Sequence, residues 1–378
     1  MGLLLKARTA TISEATLQLR MGQKKENPIE MEGSTLPAEW FPQSGVILTW
    51  PHHATDWLPY LKEVTDFYVK LAFCISATER LLIVTPETET VRTLLREQLP
   101  HEALKNISFC TCPTNDTWTR DHGPISVREE GKWMLKDFRF NGWGNKFHSD
   151  LDNAINRNIC CSGLLNVTYC DCLDFTLEGG SIESDGRGTL MTTSNCLLNP
   201  NRNPGLERTQ IEQRLRQELH ARRFLWLNHG QLAGDDTDSH IDTLARFCPN
   251  DVITYVQCRN SDDIHYEELK LMEEELQNFR TETDTPYTLL PLPLPDAILD
   301  ENGQRLPATY ANFFVINDHV LMPTYGQPEN DEQARVTLQQ AFPNHSITPL
   351  DCRVLIRQHG SLHCCTMQLP KGILPPIQ

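Results

Sequence analysis

One segment near the C-terminus combines residue types that could do chemistry. GSLHCCTMQLP, residues 360–370, contains His363, Cys364 and Cys365. Such thiols serve as metal ligands, disulfide partners, apolar core residues or nucleophiles. The alternating pattern ends at Pro370 and predicts a short strand, whose successive side chains face opposite sides. We therefore expect Cys364 and Cys365 to face apart and His363 to point away from Cys364, so that any base serving Cys364 comes from elsewhere.

Three other segments place polar residues at the start of strand-like runs. They are NDTWTRDHGP with Trp118, Arg120 and Asp121, LEGG with Glu178, and TDSHID with Asp238, His240 and Asp242. His240 and Asp242 are two residues apart and would share one face of a strand. Each residue also has an ordinary explanation, such as a turn carboxylate, a salt bridge or a core tryptophan. Asp121, Glu178, His240 and Asp242 form, together with Cys364, a set of one thiol, one imidazole and three carboxylates.

This set favours one kind of reaction. A thiol beside an imidazole suits nucleophilic catalysis. An amide hydrolase would need donors for an oxyanion, which three carboxylates would repel. Carboxylates instead bind a planar guanidinium through bidentate, charge-assisted hydrogen bonds, and Trp118 could add a cation–π face. The residues therefore indicate attack of the Cys364 thiolate on a guanidinium carbon.

A repeated order of elements could bring these distant residues together. Hairpin-like runs are each followed by a helical pattern and a single strand. The four runs are GPISVREEGKWMLKDFRF, GSIESDGRGTLMTTSNCLL, HIDTLARFCPNDVITYVQC and YANFFVINDHVLMPTY. GVILTWP and SLHCCTMQL, one near each end, would pair to complete a fifth unit. The order predicts an α/β ring with propeller-like architecture, and the alternative is an unrelated α+β domain.

The composition excludes some functional classes. The chain has 378 residues, of which 39% are hydrophobic and 22% charged, enough for a sizeable core. The net charge of −16 argues against nucleic acid or an anionic membrane as a partner and is compatible with a cationic small molecule. No stretch has the apolar length of a membrane span. The pairs Cys110-x-Cys112 and Cys170-x-Cys172 lack the common zinc spacing.

The thirteen cysteines and the N-terminus bear on location and domain organisation. An odd number of cysteines without a secretory signal favours reduced thiols and a cytoplasmic protein. Residues 1–35 are expected to be a poorly ordered extension. Residues 36–375 are expected to form a single domain.

Six segments together resemble the agmatine deiminase family within the guanidino-modifying (pentein) superfamily. They run from Leu36 to Pro370 and read LPAEWFPQSGVILTWP, NDTWTRDHGP, LEGGSIESDGRGTLMTTSNCLLNPNRNPG, GDDTDSHIDTLARF, YANFFVIND and LHCCTMQLP. The resemblance implies a five-bladed α/β propeller of hairpin–helix–strand units with pseudo-fivefold symmetry, in agreement with the five units above. There are departures from the family pattern: His359 interrupts a glycine run, Ser239 replaces a glycine, and Cys365, Met367 and Leu369 replace commoner residues.

The resemblance also implies roles for individual residues. Cys364 corresponds to the nucleophile and His240 to the general acid and base. Asp121, Glu178 and Asp242 correspond to the guanidinium-binding carboxylates, and Trp118 to the aromatic residue that lines the substrate site. The position of Asp236 is also acidic in the family, which suggests that it meets the distal amine of agmatine.

The expected protein is a hydrolase without a metal or other cofactor. It would convert agmatine to N-carbamoylputrescine and ammonia through a covalent thiouronium intermediate on cysteine, a step of putrescine and polyamine biosynthesis. The alternatives are a deiminase of arginine or peptidyl-arginine, an amidinotransferase, a metal-dependent hydrolase using His240, Asp242 and Cys364, or a non-catalytic binding module. The expected partner is a small cationic guanidino compound, and a homo-oligomer is possible.

Overall fold

Five small β-sheets organise the chain. The computed structural model describes residues 33–375, and from Gly33 onward they form one compact unit. Four sheets have three strands and one has four. Helices connect the strands, so the mixed α/β class predicted from the repeated pattern is confirmed.

Each sheet repeats one pairing rule. Two strands form an antiparallel pair, and a helix then leads to a third strand parallel to the second. The first sheet contains β1 (Gln43–Thr49), β2 (Arg80–Thr85), β3 (Ile107–Thr111) and β16 (Thr366–Pro370). The other sheets, in chain order, contain β4 (Ile125–Glu129), β5 (Lys132–Arg139) and β6 (Thr168–Thr176); β7 (Ile182–Ser184), β8 (Thr189–Thr193) and β9 (Arg223–Leu227); β10 (Ala245–Cys248), β11 (Val252–Gln257) and β12 (Thr288–Pro293); and β13 (Phe314–Ile316), β14 (His319–Thr324) and β15 (Ser346–Asp351).

A helix follows the antiparallel pair of each sheet, as the repeated order predicts, and further helices lie outside that order. They are α1 (Leu61–Ser76), α2 (Thr88–Gln98), α3 (His101–Leu104), α4 (Thr119–His122), α5 (Gly142–Asn145), α6 (Ile155–Cys161), α7 (Ser194–Leu197), α8 (Arg208–Leu219), α9 (Tyr266–Asn278) and α10 (Pro328–Ala341). In α1 the residues Val64, Tyr68, Leu71 and Ile75 recur at helical spacing and are all buried. α8 begins with a capping box between Glu207 and Gln210.

The two ends of the described chain meet in the first sheet. β1 pairs antiparallel with β16, with Ile47 opposite Met367, and parallel with β2. The predicted pairing of GVILTWP with SLHCCTMQL is therefore present. The predicted extent of the second strand is wrong, because β16 begins only at Thr366 and His363–Cys365 form a single 3-10 turn. That turn sets the direction of Cys364, so the strand-face argument does not hold as stated.

The N-terminal prediction falls mostly outside the described residues. Residues 1–32 are not described, and Thr35 forms an isolated bridge with Arg128. Among the described helices, none is long and apolar enough to cross a membrane.

A buried arginine links several of the sheets. Arg246 of β10 donates through Nε to Glu183 of β7 and through Nη2 to Glu39 at 2.9 Å. Its Nη1 donates to the carbonyl oxygens of Ala311 and Phe313 at 3.2 and 2.7 Å. Nearly every donor of this guanidinium therefore has an acceptor from a different part of the chain.

We predict that Arg246→Met destabilises the protein by about 3–5 kcal/mol, because Glu39 and Glu183 would remain buried without their cation. Urea unfolding monitored by circular dichroism measures the change. The matched control is Arg335→Met, which removes only an exposed pair with Glu332 and should cost at most about 1 kcal/mol. Equal destabilisation by the two variants would contradict the prediction.

Candidate active site

Cys364 faces a cavity of about 200 Å³. It lies on the 3-10 turn before β16, where its amide and its Sγ, at 3.3 and 3.4 Å, both donate to Asn312 Oδ1. The neighbouring Cys365 is fully buried, and its thiol interacts with the Tyr68 hydroxyl. The two cysteines therefore do face apart, although a tight turn and not a strand separates them.

His240 lies between two carboxylates. Its Nδ1 is 3.5 Å from Asp121 Oδ1, and its Nε2 is 3.5 Å from Glu178 Oε2. The ring is fully buried. Burial by itself lowers the pKa of His240, but the charge of Asp121 and the contact with Glu178 raise it well above its ordinary value. The two carboxylates therefore favour the imidazolium form of His240, which has a proton to give.

Gly180 marks the point where three side chains converge. A Cβ built on this glycine would lie 2.6 Å from His240 Nδ1, 2.7 Å from Asp121 Oδ1 and 3.1 Å from Asp242 Oδ2. A larger residue would clash with all three, so the second glycine of LEGG is required by this close approach. Its amide also donates to Asp121 Oδ1 at 3.0 Å. The LEGG turn therefore both makes room for the site and holds one of its carboxylates.

Hydrogen bonds fix the position of Asp121, but its negative charge is only partly neutralised. Its second oxygen accepts from Trp143 Nε1 at 2.9 Å. Burial raises the pKa of Asp121 to about 6, with Asp242 and Glu178 adding to the rise and His240 opposing it. A bound cation would relieve this cost, because it would favour the ionised form.

Glu178 has a fixed cation of its own. Arg202 Nε lies 3.0 and 2.7 Å from its two oxygens, and both side chains are completely buried. Although burial alone would raise it, the His240 contact and the Arg202 charge lower the pKa of Glu178. In this geometry Arg202 neutralises Glu178, whereas Asp121 and Asp242 have no arginine or lysine partner among the described residues.

Asp242 presents one free oxygen. Its Oδ2 is 2.7 Å from His363 Nδ1, while its Oδ1 is buried and has no hydrogen-bond partner among the described residues. A buried acceptor without a donor is costly, and a guanidinium N–H would satisfy it.

Trp118 lines the cavity together with two further aromatic residues. Its ring packs on Trp57 at 5.6 Å, and a Cβ on Gly360 would come within 2.3 Å of it. Trp143 and Phe147 also contribute to the lining. The cavity is therefore walled by aromatic rings between the thiol and its mouth.

The outer part of the cavity is acidic. Asp56, Asp116 and Asp236 line it, and burial, with the nearby Asp56 charge, raises the pKa of Asp116 to about 6. Asp236 is the only one of the three aspartates in GDDTDSH that lines the cavity. Asp235 instead accepts from the backbone of the turn, at Thr237 and Ser239, and Asp238 pairs with Lys146 and Arg202.

Two departures from the family pattern share a backbone conformation. Ser239 and His359 have φ angles of 67° and 64°, in the left-handed region that favours glycine. Both therefore occupy positions where glycine would avoid strain. His359 gains a contact there, since its Nδ1 is 2.6 Å from the carbonyl oxygen of Gly234 and 3.7 Å from Asp236.

One group among the described residues has the spacing of metal ligands. Atoms of Glu178, Cys196 and His240 lie within 4.8 Å of one another. Both oxygens of Glu178 already accept from Arg202, a fixed cation that would repel a metal ion. This group differs from the set of His240, Asp242 and Cys364 considered from the sequence.

The sequence reasoning missed several residues of this site. Arg202, Asn312 and Gly360 lie in or beside quoted motifs, so their position there was an available signal. His363 was assigned away from the site. Asp116 lies in the quoted motif NDTWTRDHGP, whereas Asp56 and Trp143 belong to no quoted motif and only the folded chain brings them to the cavity.

Comparisons with known proteins agree with this geometry. A family model described as Porphyromonas-type peptidyl-arginine deiminase matches residues 35–370. A Legionella pneumophila protein named "Putative agmatine deiminase" is 33% identical over 346 residues, covering 90% of this chain and 96% of its own length. A Mycoplasma capricolum protein of the same name is 31% identical, covering 93% and 99%.

Solved structures that resemble this chain are also titled as deiminases. The structure titled a putative arginine deiminase from Porphyromonas gingivalis has a TM-score of 0.86 at 47% identity, covering 90% of this chain and all of its own. The C. jejuni agmatine deiminase with substrate bound, a cysteine-to-serine variant, has a TM-score of 0.82 at 39% identity, covering 92% and 99%. The matched family model and these relatives show that the chain belongs to the Porphyromonas-type peptidyl-arginine deiminase family, whose curated relatives here are named agmatine deiminases.

Proposed function

We propose that the protein is an agmatine deiminase, which hydrolyses agmatine to N-carbamoylputrescine and ammonia. The observation that carries this proposal is the unpartnered, buried Oδ1 of Asp242 close to Asp121, which lines the same cavity as the Cys364 thiol. A guanidinium between these carboxylates would satisfy both and bring its carbon to the thiol. The names of the relatives support the same chemistry, and the pathway would be putrescine and polyamine biosynthesis.

The first step would be activation of the thiol by the substrate. Burial, followed by the charges of Asp242 and Asp121, raises the pKa of Cys364 well above its ordinary value, so the free enzyme holds a thiol. A bound guanidinium would neutralise those charges and lower the pKa of Cys364. The thiol proton leaves to solvent as the cation binds, and the thiolate attacks the guanidinium carbon.

The remaining steps would use His240 twice. As imidazolium it protonates the departing nitrogen, the C–N bond breaks, ammonia leaves, and a thiouronium remains on Cys364. Neutral His240 then takes a proton from water, which attacks the thiouronium carbon. The C–S bond breaks and releases the ureido product, and Cys364 is regenerated. Glu178, fixed by Arg202, would orient His240 and stabilise its charged form.

Substrate choice would be decided at the outer cavity. Agmatine carries an amine at its far end, and Asp56, Asp116 and Asp236 would attract it. Free arginine carries a carboxylate there, which these residues would repel. The second candidate is a deiminase of arginine or peptidyl-arginine. The description of the family model favours it, and so does His359 at the cavity mouth, which could meet a carboxylate if protonated.

The proposal also covers the architecture of the protein and its location in the cell. We propose that the five sheets surround one axis as the blades of a propeller within a single domain of residues 36–375, since the Arg246 contacts join residues of several units. A cytoplasmic location is supported by the thirteen cysteines, all of which are free thiols. A homo-oligomer and activity without a metal or other cofactor stay predictions.

Cys364→Ser should abolish turnover of agmatine, while Cys365→Ser should retain most of it, because only Cys364 borders the cavity. Production of ureido compound measures activity, and mass spectrometry of acid-quenched enzyme should find the adduct on the Cys364 peptide. Similar loss in both folded variants would show that the thiol assignment is wrong.

Asp121→Asn and Asp242→Asn should each lower kcat/KM for agmatine by about 100-fold or more, since each leaves a buried guanidinium half paired. Asp174→Asn is the control, because Asp174 is an exposed partner of Arg214. Steady-state kinetics decides the matter, and near-wild-type values in either site variant would place that carboxylate outside the guanidinium site.

Wild type should prefer agmatine over free arginine and over a blocked arginine peptide by about 100-fold or more in kcat/KM, on the scale of strong charged contacts. Asp236→Asn should lose mainly agmatine activity, and Asp262→Asn, an exposed aspartate, should change nothing. If wild type instead favours arginine or the peptide, the second candidate replaces the first while the deiminase chemistry stands.

A further inference from the structure

His363 joins two carboxylates that are about 200 residues apart in the chain. Its Nδ1 is 2.7 Å from Asp242 Oδ2, and its Nε2 is 2.6 Å from Glu39 Oε2. All three side chains are buried. Glu39 precedes β1, Asp242 lies on the 3-10 turn Ile241–Thr243, and His363 directly precedes Cys364. The three residues form a continuous hydrogen-bonded row, which we call the Glu39–His363–Asp242 relay.

Glu39 is a fixed anion at the outer end of this relay. Its Oε1 accepts from the Val315 amide at 2.8 Å and its Oε2 from Arg246 Nη2 at 2.9 Å. Burial alone would raise the pKa of Glu39, but Arg246, His363 and Arg120 together lower it far below its ordinary value. Glu39 therefore stays ionised and gives His363 a stationary acceptor.

Asp242 depends on His363 more than Asp121 depends on any single donor. Asp121 accepts from two groups, the Gly180 amide and the Trp143 indole. In the described part of the chain, the Asp242 carboxylate has one hydrogen-bond donor, His363 Nδ1, and its Oδ1 has none. Without His363 the carboxylate could rotate, and a shift of about 1 Å at a reacting centre can cost about 100-fold in rate.

We infer that His363 is a positioning residue of the reaction: through the Glu39–His363–Asp242 relay it holds one oxygen of Asp242 and directs the other at the guanidinium. This inference rests on the proposed deiminase function. His363 does not touch the substrate in this scheme. It acts through Asp242, and Glu39 acts through His363.

The contacts of the His363 ring indicate which protonation state they favour. Both partners are carboxylates, so the doubly protonated ring, which donates from each nitrogen, is the form that satisfies both contacts. The charged and titratable groups around the ring are Glu39 on the N-terminal segment, Asp242 on its 3-10 turn, Arg120 on α4, Arg246 on β10 and the adjacent Cys364. Burial, with the charges of Arg120 and Arg246, lowers the pKa of His363, and the two carboxylates oppose this. Loss of either carboxylate should therefore make His363 give up a proton at lower pH.

Two substitutions separate positioning from simple packing. The amide nitrogen of His363→Asn falls near the position of Nδ1 and can donate to Asp242, whereas the amide of His363→Gln falls near Nε2 and reaches Glu39. We expect kcat/KM for agmatine to fall about tenfold in His363→Asn and about 100-fold in His363→Gln. If His363 only filled space, the larger glutamine would be the better replacement, so equal losses or the reverse order would overturn the inference.

A pH profile gives a second, independent readout. Glu39→Gln keeps an oxygen that can accept from Nε2 but removes the negative charge. The alkaline limb of kcat/KM should therefore move to lower pH. Glu183→Gln is the control, because Glu183 pairs with Arg246 but does not contact the His363 ring, and its limb should not move. An unchanged limb in Glu39→Gln, or the same shift in both variants, would overturn the inference.

Control measurements distinguish a failure of this inference from a failure of the proposed function. His319→Asn and His319→Gln alter a buried histidine on β14 outside the site and should retain wild-type kinetics. If wild type makes no ureido product from agmatine, arginine or a blocked arginine peptide, the proposed function fails, and the inference with it. If wild type is active but the two His363 variants lose activity equally, only the inference fails.

Discussion

Buried negative charge is the constraint on which the rest of this structure depends. Five carboxylates are buried near the meeting point of the sheets: Glu39, Asp121, Glu178, Glu183 and Asp242. Ionised groups in such surroundings are stable only when paired. Arg246 pairs Glu39 and Glu183, and Arg202 pairs Glu178. Asp121 and Asp242 have no arginine or lysine partner among the described residues, and under the proposed function a guanidinium would supply the missing charge.

The same balance of buried charge accounts for the protonation state of the Cys364 thiol. Cys364 sits next to the two unneutralised carboxylates, and burial with their charges raises its pKa. Under the proposed function, a thiol that ionises only beside a cation would stay unreactive until the substrate binds. Other buried cysteines, such as Cys248 and Cys365, have pKa values raised to about 12 by burial and do not line the cavity. In that scheme the placement of charge, and not the thiol itself, would select Cys364 among the thirteen thiols.

Much of the fold and part of the site could be predicted from the sequence. The repeated hairpin, helix and strand order follows from apolar periodicity and turn residues, which are local properties, and a helix does follow the antiparallel pair of each sheet. The structure also places Asp121, His240 and Asp242 close together and lines one cavity with Asp121 and Cys364, while the roles of these residues stay predictions. Their burial and hydrogen bonds could not be predicted, because those depend on contacts between segments far apart in the chain.

The errors have specific physical causes. The strand assigned to SLHCCTMQL stops at Thr366, because Asn312 accepts hydrogen bonds from the amides of His363 and Cys364 and so stabilises a tight turn there. That turn, and not strand alternation, sends His363 toward Asp242 while Cys364 borders the cavity. Strand alternation assumes that backbone pairing decides side-chain direction, but here a single side-chain acceptor, Asn312, which lies before β13, stabilises a turn instead. A sequence pattern carries no information about such a partner, so strand alternation predicts that His363 points away from Cys364 and does not reveal its contact with Asp242.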